Sequence, residues 1–147
     1  MPVCAGMTED RAGVKKVAIE ITSSALAAMR AHAAAAHPHE ACGILLGEGK
    51  RITAAREAAN VHPAPATHFE IDPQALIDAH RAARAGGAQV VGYYHSHPAG
   101  PATPSATDRA SAAGDGRVWA ILAGDDVTFW EDGGQGFTAL SFTISAG

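Results

Sequence analysis

The segment from Val90 to Ala110, VVGYYHSHPAGPATPSATDRA, predicts a strand, a loop and the start of a helix in succession. Its first part is rich in β-branched and aromatic residues, which favours a strand. Three prolines follow and predict a loop, because proline cannot continue a hydrogen-bonded ladder. Ser105 and Asp108 then predict a short helix over residues 105–113, with Ser105 as its cap and Asp108 in its first turn. A strand that leads through a loop into a helix is typical of α/β proteins.

The rest of the chain continues this alternation of elements. We predict helices that begin at Ser23 or Ser24 and at Asp72. Strands are predicted at residues 17–21, 41–48, 51–60 and 89–97, and in the C-terminal segments RVWAILAG, DVTFWED and FTALSFTIS. The sequence therefore predicts an α/β fold, a single domain with a mixed β-sheet flanked by helices. This domain would occupy residues 16–147, after a flexible N-terminal lead at residues 1–15.

The composition limits the classes of function. The chain has 147 residues, of which 47% are hydrophobic, so one domain with a sizeable core is expected. Its formal net charge is −4 and it has no basic run, which argues against nucleic-acid or anionic-membrane partners. No apolar run approaches the roughly 20 residues of a membrane span, and the N-terminus lacks the hydrophobic core of a signal peptide. We therefore expect a cytoplasmic protein.

His95 and His97 are the first candidate metal ligands. They lie two residues apart on a predicted strand, so both imidazoles point to the same face and can share an ion. Asp108 can add a carboxylate oxygen, and two histidines with one carboxylate leave one tetrahedral position of a zinc ion free. An open position is typical of catalytic zinc, which lowers the pKa of its water to about 7.

Each of these features also has an ordinary structural explanation. A His-x-His pair on a strand is often a polar edge, and Ser105 with Asp108 is a reasonable helix cap. His37 and His39 form a second such pair, but no carboxylate follows them at a comparable spacing. The histidines other than His95 and His97 are expected on the surface or in loops.

The cysteines argue against other site chemistries. Cys4 and Cys42 are too few for a thiolate-rich zinc site, and a structural disulfide between them is not expected. Cys42 lies in the apolar run ACGILLGE, so we expect a small core residue rather than a nucleophile. Tyr93 and Tyr94 must point to opposite faces of their strand. The two tryptophans are expected to be packing residues.

The combined pattern is more specific than its parts. His-x-His-Pro, with seven residues from the second histidine to a Ser-x-x-Asp, resembles the motif of the JAMM (MPN+, Mov34/JAB) zinc metalloprotease family. Members of that family carry a glutamate upstream, where a helix ends and a strand begins, and HPHEACGILLG supplies Glu40 in that setting. The resemblance spans the chain from Glu40 to the final strands and is closest in length to the short prokaryotic members. It implies the JAB/MPN fold, of cytidine-deaminase-like architecture.

The resemblance implies a role for each matching residue. His95, His97 and Asp108 would hold one zinc ion per chain. Glu40 would be the general base that takes a proton from the attacking water and returns it to the leaving amine. Ser105 would donate a hydrogen bond to the developing oxyanion, an interaction typically worth a few kcal/mol.

The resemblance also implies a substrate class. Short prokaryotic members include enzymes that act on sulfur-carrier, ubiquitin-like proteins. The implied activity is that of a zinc metallopeptidase that hydrolyses a peptide or isopeptide bond at the C-terminal tail of such a protein. The loop from Asn60 to Phe69 is a candidate contact for an extended tail, which could bind by strand addition.

Two other functions remain open at this point. A zinc hydrolase of small molecules, or of short peptides unrelated to ubiquitin-like proteins, would use the same metal ligands. A deaminase would need H-x-E followed by P-C-x-x-C, which neither Glu40 nor the two cysteines supply. A non-catalytic binding module would need no metal and would tolerate replacement of Glu40.

Overall fold

The computed structural model describes residues 18–147, so the predicted lead at residues 1–15 lies outside the described chain. Within this range the chain forms eight strands and three helices. The strands are β1 (Ile19–Thr22), β2 (Cys42–Glu48), β3 (Arg51–Ala58), β4 (Gln89–Ser96), β5 (Val118–Ala123), β6 (Asp126–Gly133), β7 (Gly136–Leu140) and β8 (Phe142–Ser145), and the helices are α1 (Ser23–Ala36), α2 (Pro73–Arg84) and α3 (Ala106–Ser111). None of these helices is long and apolar enough to cross a membrane.

The strands of the described chain form one sheet, in the order β7-β6-β5-β4-β2-β3-β1-β8. β1 runs parallel to β3 and to β8, and β4 runs parallel to β5. The other neighbouring strands are antiparallel. The predicted α/β fold with a mixed sheet is therefore confirmed.

The two longer helices cover opposite faces of the sheet. On β2, Leu45 packs in the same core cluster as Met29 of α1, whereas Ile44 and Leu46 pack with Ala79 of α2. This alternation follows from the two-residue period of a strand. Because both faces of β2 are covered, nearly every residue of the strand is apolar, as in the run ACGILLGE.

The cap of α1 differs from the prediction. Thr22, rather than Ser23 or Ser24, is the N-cap, and its hydroxyl accepts a hydrogen bond from the amide of Ala25. Thr22 is the last residue of β1 and keeps an extended backbone, as an N-cap residue does, so the strand leads into the helix without a loop. Asp72 caps α2 as predicted.

The C-terminal segment FTALSFTIS, predicted as one strand, forms two. β7 ends at Leu140 and β8 begins at Phe142, with Ser141 between them. These strands stand at opposite ends of the strand order, so the sheet curls until its two edges meet. The rings of Phe129 and Phe142 lie 4.9 Å apart, and the amide of Ile19 donates to the carbonyl of Ser141. The prediction was wrong because a local pattern does not reveal where a chain changes its pairing partner.

Candidate metal centre

The two histidines and the aspartate predicted as metal ligands come together at one end of β4. His95 is the penultimate residue of β4, and His97 is the first residue after that strand. Asp108 lies in the first turn of α3. The two Nε2 atoms are 3.1 Å apart, and Asp108 Oδ2 is 3.2 Å from each. His95 and Asp108 are buried, with 1% and 3% exposure. Among the described residues, these three are the group of His, Cys, Asp or Glu side chains that could hold a metal ion.

The separations fit a tetrahedral ion. Zinc binds nitrogen and oxygen ligands at about 2.0–2.1 Å, which places two ligand atoms of a tetrahedron about 3.3 Å apart. The three ligand atoms here are 3.1–3.2 Å apart. Two imidazole nitrogens and one carboxylate oxygen form a donor set that suits zinc and leaves one position for water or substrate.

A hydrogen bond fixes the ring of His97. Its Nδ1 lies 2.8 Å from the carbonyl oxygen of Pro101 and donates to it, because a carbonyl can only accept. In the neutral ring the lone pair is then on Nε2, the atom that faces His95 and Asp108. Such an outer partner is typical of histidines that ligate metals. The proline-rich loop therefore orients the ring of His97 as well as connecting β4 to α3.

Aromatic rings hold His95 in place. Phe69 stacks on its imidazole, with ring centroids 4.3 Å apart and planes 18° from parallel. Trp119 meets the same imidazole edge-on at 5.6 Å, and it also contacts Phe69 and Phe137. The predicted packing role of Trp119 is confirmed. Phe69 joins the site from the loop that was predicted to contact the substrate.

The charge states of Asp108 and His95 suit metal binding. Burial alone would raise the pKa of Asp108, but hydrogen bonds from His95 and His97 hold it well below its usual range. Burial lowers the pKa of His95 and favours its neutral form. The hydrogen bond with Asp108 raises the pKa of His97. The group therefore contains an ionised carboxylate and an imidazole that favours the neutral form, the states in which these side chains ligate metals.

Asp108 is a helix-capping residue and a member of the metal group at once. Ser105 is the N-cap of α3, and its hydroxyl oxygen accepts from the amide of Asp108 at 3.0 Å. In return, Asp108 Oδ2 accepts from the amide of Ser105 at 3.0 Å. This capping box fixes the carboxylate against the two histidines. The hydroxyl of Ser105 acts as an acceptor in the cap, so its own proton is available for a further donor role.

Glu40 lies beside this group, although 55 positions separate it from His95 in the chain. It precedes β2, and β2 pairs with β4 so that Cys42 lies opposite His95. Glu40 is 7% exposed, and burial raises the pKa of its carboxyl to about 7. The charge of His97 lowers this pKa and that of Asp108 raises it, so the carboxyl is close enough to interact with both. The structure therefore joins His95, His97, Asp108 and Ser105 by hydrogen bonds and places Glu40 within electrostatic range of His97 and Asp108.

Other candidate residues have structural roles. Cys42 is buried in β2, where burial and the neighbouring Glu40 raise its thiol pKa to about 12, so the expected core position is confirmed. His37 and His39 do not join the metal group. His32, expected on the surface, has its Nδ1 2.7 Å from the hydroxyl of Tyr94. That surface prediction was wrong because it took no account of Tyr94, which points into the core on the α1 side.

The side chain of Asn60 has a role that was not expected from the sequence. Its amide donates to the main-chain carbonyl of Glu40, and Phe69 stacks on His95 from the same loop. Neither contact has a local sequence signal, because each joins residues that are about 20 or more positions apart in the chain. Asn60 comes close to Glu40 because β2 pairs with β3, with Cys42 opposite Ala58, and the 60–71 loop then carries Phe69 to His95.

Comparison with known proteins agrees with this geometry. The family described as prokaryotic homologs of the JAB domain matches residues 22–133. The desampylase of Haloferax volcanii is 36% identical over 131 residues, which cover 87% of this chain and 94% of that protein. A probable TtuB-protein conjugate cleaving protease of Thermus thermophilus is 39% identical over 79 residues, which cover 54% of this chain and 53% of that protein.

A solved structure shares the fold. The solution structure of a Desulfitobacterium hafniense protein has a TM-score of 0.77 and 28% sequence identity, and the match covers 88% of this chain and 94% of that one. The family match extends from the cap of α1 to the end of β6 and includes every residue of the metal group. The resemblance noted from the sequence is therefore confirmed. The chain belongs to the JAB-domain family, among its prokaryotic homologs.

Proposed function

We propose that this chain is a zinc-dependent metallopeptidase that hydrolyses a peptide or isopeptide bond at the C-terminal tail of a small ubiquitin-like or sulfur-carrier protein. The observation that carries the proposal is the carboxyl of Glu40, buried beside His95, His97 and Asp108. A buried base next to a metal group with an open position is the arrangement needed for metal-assisted hydrolysis.

In this proposal His95, His97 and Asp108 hold one zinc ion. When bound, zinc supplies a Lewis acid that polarises a carbonyl and makes water nucleophilic near neutral pH. Glu40 takes the proton of the attacking water and delivers it to the leaving amine. A carboxylate can accept this proton and release it again, which suits both steps.

Ser105 is the proposed donor to the oxyanion. It precedes α3, and its main-chain amide and hydroxyl are both bound to Asp108, which places the hydroxyl next to the metal group. Because the hydroxyl oxygen accepts within the cap, its proton can point away from the helix toward a substrate oxygen. Loss of one such donor typically lowers kcat by about 10²–10³-fold.

The substrate class rests on the relatives and on the space beside the site. One relative is named as a desampylase and another as a protease that cleaves TtuB-protein conjugates, which supports a protein conjugate as substrate. A cavity of about 580 Å³ between α1 and the end of β4 reaches the site at His97, the one proposed site residue in its lining, and is also lined by Arg30, Leu122 and Asp125. It is large enough for several residues of an extended tail. The loop from Asn60 to Phe69 forms the other proposed contact.

The test is incubation of the purified, zinc-loaded protein with small ubiquitin-like carriers that bear C-terminal extensions or isopeptide-linked partners. We expect cleavage directly after the carrier tail, read by mass spectrometry, and about one zinc per chain. Glu40→Ala should keep zinc and lose hydrolysis, whereas Glu48→Ala, at the exposed far end of β2, should retain both.

Unchanged turnover by Glu40→Ala would remove Glu40 from the mechanism. Zinc content near zero in the folded wild-type protein would contradict the metal assignment. If the zinc-loaded protein hydrolysed small amides but left every carrier intact, the activity would be that of a small-molecule or short-peptide hydrolase instead.

A further inference from the structure

We propose that Asn60 is a positioning residue that fixes the main chain at Glu40 and thereby sets the place of its carboxyl beside the metal group. The inference rests on the proposed function insofar as Glu40 is the general base. It concerns a residue that need not touch the substrate. It follows from the hydrogen bonds of one side-chain amide.

The amide of Asn60 makes four hydrogen bonds. Nδ2 donates to the main-chain carbonyls of Glu40 at 3.1 Å and of His68 at 3.0 Å. Oδ1 accepts from the main-chain amides of His62 at 3.1 Å and of Glu70 at 3.0 Å. A side-chain amide offers two donor protons and two acceptor lone pairs, so this one is fully used. Three of its bonds close the 60–71 loop, and the fourth ties that loop to Glu40.

The same loop also holds Glu40 from its other side. The amide of Glu40 donates to the carbonyl of Pro65 at 2.7 Å. Glu40 lies two residues before β2, outside the strand ladder, so both of its main-chain polar groups bind the loop instead. The loop is closed at its base by a bridge between Asn60 and Ile71. Loss of the Asn60 side-chain bonds would release the carbonyl of Glu40 and leave the loop held by its main-chain bonds.

The position calls for asparagine in particular. Aspartate has the same shape and keeps an oxygen to accept from His62 and Glu70, but it loses both donors and turns a second oxygen toward the carbonyls of Glu40 and His68. Alanine loses all four bonds without adding charge. Asn60→Asp therefore keeps two of the loop-closing bonds and loses the bond to Glu40, whereas Asn60→Ala loses all four.

The experiment compares Asn60→Asp with Gln89→Glu, a matched control. The Nε2 of Gln89 also donates to two main-chain carbonyls, those of Ala83 and Gly87, at the opposite end of β4. Both changes replace an amide by a carboxyl of the same shape, remove two donor bonds and add one negative charge. Asn60→Ala is measured beside them, so that a failure of Asn60→Asp to fold does not prevent a decision.

Two measurements decide the proposal. In hydrogen exchange followed by mass spectrometry, the segment containing the amide of Glu40 should exchange at least about tenfold faster in the Asn60 variants than in the wild type and in Gln89→Glu. When carrier cleavage is measured, kcat of the Asn60 variants should fall about tenfold or more, because misplacement of a catalytic group by about 1 Å lowers the rate by up to about 10²-fold. KM should change less than about twofold, and the zinc content should not change.

Unchanged exchange at Glu40, or unchanged kcat in a variant whose exchange is faster, would overturn the proposal. A fall in kcat that only follows lost zinc would also overturn it. If the wild type itself cleaves no carrier, the proposed function fails, and the exchange measurement still decides whether Asn60 fixes the main chain at Glu40. The two failures are therefore distinguishable.

Discussion

Replacement of Glu40 by glutamine is expected to make the metal-free protein more stable while removing its hydrolytic activity. Glu40 is 7% exposed, and burial raises its pKa from 4.5 to about 7. A carboxyl whose pKa is higher in the folded state favours folding only while it is protonated. Its contribution is fully present below pH 4.5 and is lost as the pH rises through about 7.

The size of this effect follows from the pKa shift. One pKa unit corresponds to about 1.4 kcal/mol, so ionised Glu40 lowers the free energy of unfolding by about 3 kcal/mol above pH 7. Glutamine has nearly the same shape and no charge to bury. We therefore expect the free energy of unfolding of Glu40→Gln to exceed that of the wild type by about 3 kcal/mol at pH 8 and by less than about 1 kcal/mol at pH 5. Like the hydrogen bond with Asp108, the charge of Glu40 also raises the pKa of His97, and losing that attraction in Glu40→Gln offsets part of the gain.

The assay is urea denaturation in the presence of EDTA at both pH values. Glu48→Gln, at the exposed end of β2, is the control, and its free energy of unfolding should not rise above that of the wild type at pH 8. Equal stability of Glu40→Gln and the wild type at pH 8 would refute the burial argument, as would a gain of the same size at both pH values. Zinc-loaded Glu40→Gln should bind metal without turnover.

Three further predictions concern other parts of the molecule. His97→Ala should lose zinc during dialysis, because the open site has no spare ligand to replace it; full zinc occupancy would exclude His97 as a ligand. Cys42, with a pKa of about 12, should resist alkylation at neutral pH in the folded protein and react in urea, and rapid labelling of the native protein would contradict its burial. Gly92→Ala should lower the free energy of unfolding by about 2 kcal/mol or more, since a Cβ there collides with the carbonyl of Val118, while Gly134→Ala has open space and serves as its control.

The composition of the metal group could be predicted because its members are close in sequence. His95 and His97 share a strand face, and Asp108 follows after a single loop, so their spacing permits a shared ion, and the resemblance of the combined motif to a metalloprotease family favours one. From the sequence, Asp108 could be either a helix-capping residue or a metal ligand. In the structure its carboxylate accepts from the amide of Ser105 and contacts both histidines at once. A local pattern treats these roles as alternatives because it contains no distances.

The approach of Glu40 to the histidines could be expected from the family resemblance, but it does not follow from the local pattern of the residues. It depends on the antiparallel pairing of β2 with β4, which brings Cys42 opposite His95. The link from Asn60 to the main chain of Glu40 depends on the pairing of β2 with β3, where Cys42 lies opposite Ala58, and on how the 60–71 loop closes. Pairing between distant strands and hydrogen bonds to main-chain carbonyls leave no periodic trace in a sequence, so these parts of the site required the structure.

The parallel pairing of β1 with β8 has a consequence for how the protein folds during synthesis. Ile19 pairs with Phe142, so the first strand of the described chain cannot gain its outer neighbour until the last strand has been made. Contacts between residues so far apart in sequence are slow to form. A nascent chain that ends before Phe142 therefore exposes an unpaired edge of β1 on the ribosome, where strand edges invite pairing with other chains.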